Sequence, residues 1–238
     1  MSDNIEAGPL AKMKQIEASE GSKVLQKIRI HAISYHIFNG NHEELRRALE
    51  TYHNPDFAIQ LWALTSRRKL DLFQKELVRM LHNYLASAKT LVEHTRKFVR
   101  TQYFGTEFEK KYDSKVDEAF HNPFCSFIMD LRDFILHNGL PQTSASFHFE
   151  REKPLEFTIK LDVGSLRNWD GWDPQAAQYL GTLGAEVVMD DLVQRYTSLV
   201  AGFYKWFAEE LQSFHSLHLK ELNELKKEFK EQYGEFSN

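Results

Sequence analysis

The chain has 238 residues, of which 42% are hydrophobic and 27% are charged, and its formal net charge is -4. This length and apolar content suffice for one large buried core, while the net negative charge argues against a protein that coats nucleic acid through bulk electrostatics. No apolar run reaches the roughly 20 residues that span a bilayer, and residues 1–20 contain no apolar signal region. We therefore expect a cytoplasmic protein that does not enter a membrane.

Helical patterns account for the first part of the chain. Residues 1–23 show no sustained apolar period, so we predict a flexible N-terminal tail there and a single domain over residues 24–238. The first helix of this domain is expected to stop at Asn39-Gly40, and Asn41 is expected to cap the start of the next helix.

Two long amphipathic helices are predicted, at about 69–103 and at about 185–232, because their apolar residues recur every three or four positions. The second helix becomes rich in Lys and Glu after His215, and this end is expected to project beyond the bundle. Between the two helices, apolar residues alternate with polar ones over about 143–163, which predicts a β-hairpin. The predicted fold is therefore mainly α, an antiparallel helical bundle with one inserted β-hairpin.

Basic side chains outnumber acidic ones on the first of these long helices, which makes it a candidate surface for the backbone of RNA. The alternative is a solvated face whose charge is balanced by the acidic stretch Glu107–Glu118. The candidate substrate-binding residues, including one amide from the motif region described next, are Arg67, Arg68, Lys69, Arg96, Lys97, Arg100 and Asn138.

The most informative motif is the run Arg132–His137, which ends an apolar helix. Asn122 and Pro123 provide the start signal of that helix, and Gly139 and Pro141 provide its stop signal. A strong cation, an acid and a titratable imidazole therefore come together at an element boundary, where side chains are left accessible for chemistry.

An Arg, an acid directly after it and a His five positions after the Arg resemble the signature of the HEPN superfamily. The looser spacing also occurs at Arg29 with His36 and at Arg46 with His53, but an acid follows the Arg only at Arg132. Members of that superfamily are small helical domains; many dimerise so that two motifs face each other, and many are metal-independent ribonucleases. The resemblance implies a dimeric ribonuclease, a toxin or defence effector, that needs neither a metal ion nor a cofactor.

Each motif residue has an expected role in cleavage of RNA by its own 2′-hydroxyl. His137 is the general acid or base, Arg132 holds the phosphate, and Asp133 orients the imidazole. On an ideal helix Arg132 and His137 are about 140° apart, so one motif makes a poor site by itself. A homodimer that brings two motifs together is the expected arrangement.

A structural interpretation of the same residues stays open. Arg132 then pairs with Asp130 or Asp133, and His137 caps the last carbonyl groups of its helix. On this interpretation the protein is a non-catalytic helical scaffold or interaction module, which binds a partner through its C-terminal helix and the hairpin.

Three other features of the sequence have ordinary structural explanations. Cys125 lies among Phe and Ile residues, which predicts a buried hydrophobe rather than a nucleophile. His215 and His218 are three positions apart on a helix, but no Cys or paired-carboxylate motif completes a metal site. Trp169 and Trp172 either stack a base or cover the end of a core.

Overall fold

The computed structural model describes residues 8–63, 67–148, 151 and 155–234. Within this part of the chain the fold is mainly α with one small antiparallel sheet, as predicted. The elements in chain order are α1 (Pro9–Ala18), α2 (Glu20–His53), α3 (Pro55–Trp62), α4 (Arg67–Gln102), α5 (Glu107–Phe120), α6 (Pro123–His137), β1 (Thr143–His148), β2 (Glu156–Asp162), α7 (Val163–Arg167), α8 (Pro174–Thr182), β3 (Glu186–Val188), α9 (Met189–Phe214) and α10 (Ser216–Tyr233).

The described chain divides into two compact units. The single domain expected over residues 24–238 stays a prediction. The terminal unit consists of Met1–Ile33 together with Lys205–Asn238, and the main unit consists of Ser34–Tyr204. The divisions fall inside α2 and α9, where the amphipathic patterns continue without a sequence signal.

In the terminal unit, the first helix packs against the last. Ile16 on α1 lies in one buried cluster with Leu222 and Phe229 on α10. Lys12 Nζ donates to Glu228 Oε2 at 2.7 Å between the same two helices. The described part of the predicted tail contains α1 and the start of α2, and α10 packs on α1. Projection of the polar end of α10 beyond the bundle stays a prediction. The apolar period of α1 is too weak to predict the helix, and burial of Ile16 against a distant partner stabilises it.

Helix α2 continues through Asn39-Gly40, so the predicted stop is wrong. The amide of Asn41, the expected cap, instead donates to the carbonyl of Ile37 at 2.9 Å within the helix. A glycine inside a helix costs about 1 kcal/mol relative to alanine. Burial of Phe38 and Leu45 on one face of α2, both 0% exposed, outweighs that cost.

The predicted hairpin is confirmed and is extended by a third strand. β1 pairs with β2 in an antiparallel register that sets Thr143 opposite Leu161. The inward residues Phe157, Ile159 and Leu161 alternate along β2 and join the main core. β3 pairs with the other edge of β2, and its three residues are too few to give a periodic signal.

The second long helix, predicted as one element over about 185–232, is three elements. Residues at its start form β3, and the helix that follows is interrupted at His215, which separates α9 from α10. The apolar period runs across His215 unchanged, so the pattern alone does not reveal the break. Among the described helices, none has the length and apolar content that crossing a membrane requires.

Two glycines in α2 are expected to respond in opposite directions to substitution by alanine. A Cβ at Gly40 would meet nothing within 4 Å, so Gly40→Ala should raise the free energy of unfolding by about 0.5–1 kcal/mol. A Cβ at Gly21 would lie 2.4 Å from the backbone oxygen of His218, so Gly21→Ala should lower it. Urea denaturation followed by circular dichroism measures both; a destabilised Gly40→Ala would contradict the continuous helix.

Candidate functional site

Helix α6 carries the motif and is capped at both ends by its own sequence. At the start, Asn122 Oδ1 accepts a hydrogen bond from the backbone N–H of Cys125 at 3.0 Å. At the end, the backbone N–H groups of Asn138 and Gly139 both donate to the carbonyl of Phe134. Gly139 has φ +134°, a backbone conformation that L side chains rarely adopt. The motif therefore occupies the last turn and a half of a helix with defined ends.

The apolar face of α6 is held by aromatic side chains. The ring of Phe134 contacts both Trp169 and Trp172, with centroids 5.7 and 5.9 Å away, and the two indoles contact each other at 5.0 Å. Trp172 also stacks on Phe127 and donates its indole N–H to the carbonyl of Leu166 at 2.9 Å. Both tryptophans therefore cover the core, as one of the two interpretations of the sequence proposed.

The structure brings Arg132 and Asp133 together. Arg132 Nη1 donates to Asp133 Oδ1 at 2.6 Å, and the two side chains are 30% and 36% exposed. Nε of Arg132 is buried and has no hydrogen-bond partner among the described residues. The pairing with Asp133 is one of the two that the structural interpretation of the motif predicts.

Among the described residues, His137 forms no hydrogen bond or ion pair with either side chain of this pair. Its side chain is exposed on the last residue of α6, and Asn138 beside it is exposed as well. Within the described chain, Asp133 is hydrogen-bonded to Arg132 and not to the imidazole of His137. A single copy of the chain thus presents a half-exposed guanidinium and an exposed imidazole from the same helix end.

The predicted substrate-binding cations form two separate groups. Arg67, Arg68 and Lys69 are exposed at the start of α4, whereas the other three lie near its end, roughly 40 Å away at about 1.5 Å per residue. In the second group, Arg96 pairs with Glu93, and Arg100 binds both Glu109 at 2.8 Å and Asp113 at 3.0 Å. The acidic stretch on α5 therefore balances part of this charge, as the alternative interpretation expected. Lys97 is exposed.

A second acidic contact lies close to the motif, and the sequence did not predict it. Asp130, two positions before Arg132, accepts a hydrogen bond on Oδ2 from the backbone N–H of Asp173 at 2.6 Å. Burial raises the pKa of Asp130, and the positive charge of Lys89 on α4 opposes that shift. Asp130 and Asp173 are 43 positions apart, so no local signal could have joined them.

The remaining candidates behave as ordinary structure. Cys125 is 3% exposed, and burial raises the pKa of its thiol, which disfavours the reactive thiolate. The rings of His215 and His218 have centroids 6.0 Å apart, and burial lowers the pKa of His215. In the described chain, no group of three or more His, Cys, Asp or Glu side chains is arranged to hold a metal ion.

No protein-family model, curated protein or solved structure matches this chain. The resemblance to the HEPN superfamily therefore stays a prediction, which rests on Arg132, Asp133 and His137 and on their place at the end of a helix.

The position of α6 is expected to depend on Phe134. Its ring is 2% exposed, so Phe134→Ala should lower the free energy of unfolding by about 3–5 kcal/mol. Leu72, which is 54% exposed on α4, provides the matched control, since Leu72→Ala should change the free energy of unfolding by less than about 0.5 kcal/mol. Urea denaturation measures both variants. The tryptophan emission of folded Phe134→Ala should also shift; equal losses in the two variants would contradict this packing.

Proposed function

We propose that this protein is a HEPN-like, metal-independent endoribonuclease, a toxin or defence effector that acts as a homodimer. The observation that carries the proposal is the placement of the motif. His137 is exposed at the end of α6, five positions after a half-exposed Arg132, on a helix whose opposite face is anchored in a core. An anchored helix end limits the positions that the two side chains can take, which is a condition for acid–base catalysis.

The proposed reaction is attack of an RNA 2′-oxygen on the adjacent phosphorus. One imidazole accepts the proton of the 2′-hydroxyl, and a second donates a proton to the 5′-oxygen as its bond to phosphorus breaks. The products are a 2′,3′-cyclic phosphate and a 5′-hydroxyl. Arg132 stabilises the charge on the phosphorane, and two copies of His137 supply the two proton-transfer groups.

Exposed apolar side chains beside the motif support the proposed dimer. Leu136 is 46% exposed and Leu140 is 65% exposed, so two large aliphatic residues flank His137. Contact between these residues in two copies would remove them from water and bring the two His137 side chains close to one another. The charged pair Arg132–Asp133 lies on the same helix end, at the margin of this contact.

Asp133 is a positioning residue in this proposal. Its carboxylate holds one N–H of the Arg132 guanidinium, which has five N–H donors in all. The remaining donors that reach solvent are then available to a phosphate. In the proposal Asn138 contacts the RNA beside the cleavage site. The RNA backbone farther away contacts the exposed cations Arg67, Arg68, Lys69 and Lys97. Arg96 and Arg100 contribute less to RNA binding because acids already bind them.

Removal of either motif residue should abolish RNA cleavage without unfolding the protein. We expect His137→Ala and Arg132→Ala each to lower the rate in excess EDTA by about 10²–10⁴-fold, since a proton-transfer group or a phosphate contact is lost. His121→Ala is the matched control, because His121 is also exposed at the end of a helix but has no motif around it. Gel analysis of a labelled RNA, with circular dichroism of each variant, measures the effect.

Cleavage by His137→Ala at the wild-type rate would exclude the proposed role. If the wild type cleaves no RNA while all four proteins are folded, the protein is not a constitutive ribonuclease.

The second candidate is a non-catalytic interaction module, favoured by exposed apolar residues in the terminal unit. Phe214 is 43% exposed at the end of α9, and Leu217 is 66% exposed at the start of α10. A partner or a second copy would bind at this junction and not at the motif.

Two double variants distinguish the candidates. On the ribonuclease proposal, Leu136→Ser with Leu140→Ser should dissociate the dimer and reduce cleavage together, because the motifs separate. Phe214→Ser with Leu217→Ser should change neither property. Sedimentation velocity and the RNA assay, run on the same samples, measure both. Loss of self-association only in the second double variant would favour the interaction module.

A further inference from the structure

A cavity in the main unit has Asp130 in its lining and, among the described residues, none of the motif residues Arg132, Asp133 and His137. Its volume is about 290 Å³, and residues of α4, α5, α6 and α9 line it. Asp130 and Arg132 are two positions apart on α6, about 200° around the helix, so they lie on nearly opposite sides of it. The cavity is therefore separate from the motif that the proposed function uses.

The walls of this cavity are mostly aromatic and aliphatic. The rings of Phe120 and Phe203 are 5.2 Å apart in an edge-to-face arrangement, and Tyr112 meets Phe203 at 6.1 Å. The hydroxyl groups of Thr95 and Tyr204 are hydrogen-bonded to one another. Burial raises the pKa of Tyr112 to about 12, so its phenol is neutral at physiological pH. The apolar walls therefore favour binding of a ligand with an apolar surface. The faces of the aromatic rings favour a cationic group on that ligand.

The charge at the cavity is of one sign. Asp130 and Asp173 are the charged side chains in its described lining, and no Lys, Arg or His accompanies them. Oδ2 of Asp130 accepts a hydrogen bond from the backbone N–H of Asp173, and Oδ1 of Asp173 accepts one from the backbone N–H of Gln175. Each carboxylate keeps its second oxygen without a hydrogen bond to a described residue. The nearby cation Lys89 forms an ion pair with Glu93, with Nζ 3.8 Å from Oε1, and this pair partly neutralises the charge of Lys89.

We propose that this cavity binds a small hydrophobic amine in its ammonium form. The apolar part of the ligand lies among Phe120, Phe203 and Tyr112, and the ammonium group donates to Asp130 and Asp173. A carboxylate ligand of the same shape is repelled by both acids, and a neutral alcohol gains only the apolar contacts. This ligand class follows from the lining alone and does not depend on ribonuclease activity.

Three probes of matched shape test the proposal: 4-phenylbutylamine, 4-phenylbutan-1-ol and 4-phenylbutyrate. Isothermal titration calorimetry of the full chain at neutral pH should give the tightest binding for the amine, weaker binding for the alcohol and the weakest for the acid. Equal affinity for the amine and the acid would overturn the proposed ligand class. Absence of binding by all three would overturn the site.

Variants locate the binding. Asp130→Asn keeps an oxygen that can accept the N–H of Asp173 and removes the negative charge. It should therefore weaken the affinity for the amine about tenfold and leave the affinity for the alcohol unchanged. Val116→Trp, which places an indole in the cavity from a half-buried position, should abolish binding of both. Glu118→Gln on the same helix, an exposed acid paired with Lys115, should change nothing.

Unchanged amine affinity in folded Val116→Trp would show binding elsewhere and overturn the site. If Asp130→Asn fails to fold, the ranking of the three probes on the wild type still decides the ligand class. RNA cleavage is measured in a separate assay. Absence of cleavage would contradict the proposed function but would not change the probe ranking or the effects of the cavity variants.

Discussion

Helix α6 buries Phe127, Leu131 and Phe134 along one face, and this burial determines where the chemically active side chains lie. Consecutive residues of a helix are about 100° apart around its axis. When one face of the helix is buried in the core, the residues next to the buried ones in sequence therefore lie at the sides of the helix or on its exposed face. Arg132 and Asp133 are consequently half-exposed and His137 is exposed. Trp169 and Trp172 hold the buried face in place, and the ends of α6 are set by an Asn cap and by a glycine in a left-handed conformation.

Pairing between neighbouring charges decides which groups are left to bind a ligand. Arg96 and Arg100 are bound by acids on α4 and α5, and exposed pairs of this kind add little stability but reduce the local positive charge. Among the described residues, Arg132 is bound by the single acid Asp133 and retains further donors. At the cavity the balance is reversed, since Asp130 and Asp173 lie together without a cation in the described lining. On α6, the guanidinium of Arg132 and the carboxylate of Asp130 therefore leave the helix in nearly opposite directions, and Asp173 meets Asp130 from the start of α8.

The two proposals make different demands on α6. Ribonuclease activity needs a second copy of the chain, because Arg132 and His137 diverge on one helix and a second imidazole is required for the leaving group. The amine site needs only the main unit, because all its lining residues lie within it. A ligand in the cavity would contact the carboxylate two positions before Arg132. The activity and the binding are thus measured independently although they share one structural element.

Residue patterns alone predict the amphipathic helices α4 and α6, the caps of α6, and the hairpin of β1 and β2, because each depends on periodicity or on contacts a few residues apart. The motif Arg132–His137 is also visible in the sequence. Only the tertiary structure decides that α1 is helical, that α2 continues through Gly40 and that the C-terminal helix breaks at His215. It also decides that Arg132 binds Asp133 and that Asp130 meets Asp173. These features depend on partners that are distant in the chain or on a choice between neighbours, and burial against such partners outweighs local propensities of about 1 kcal/mol.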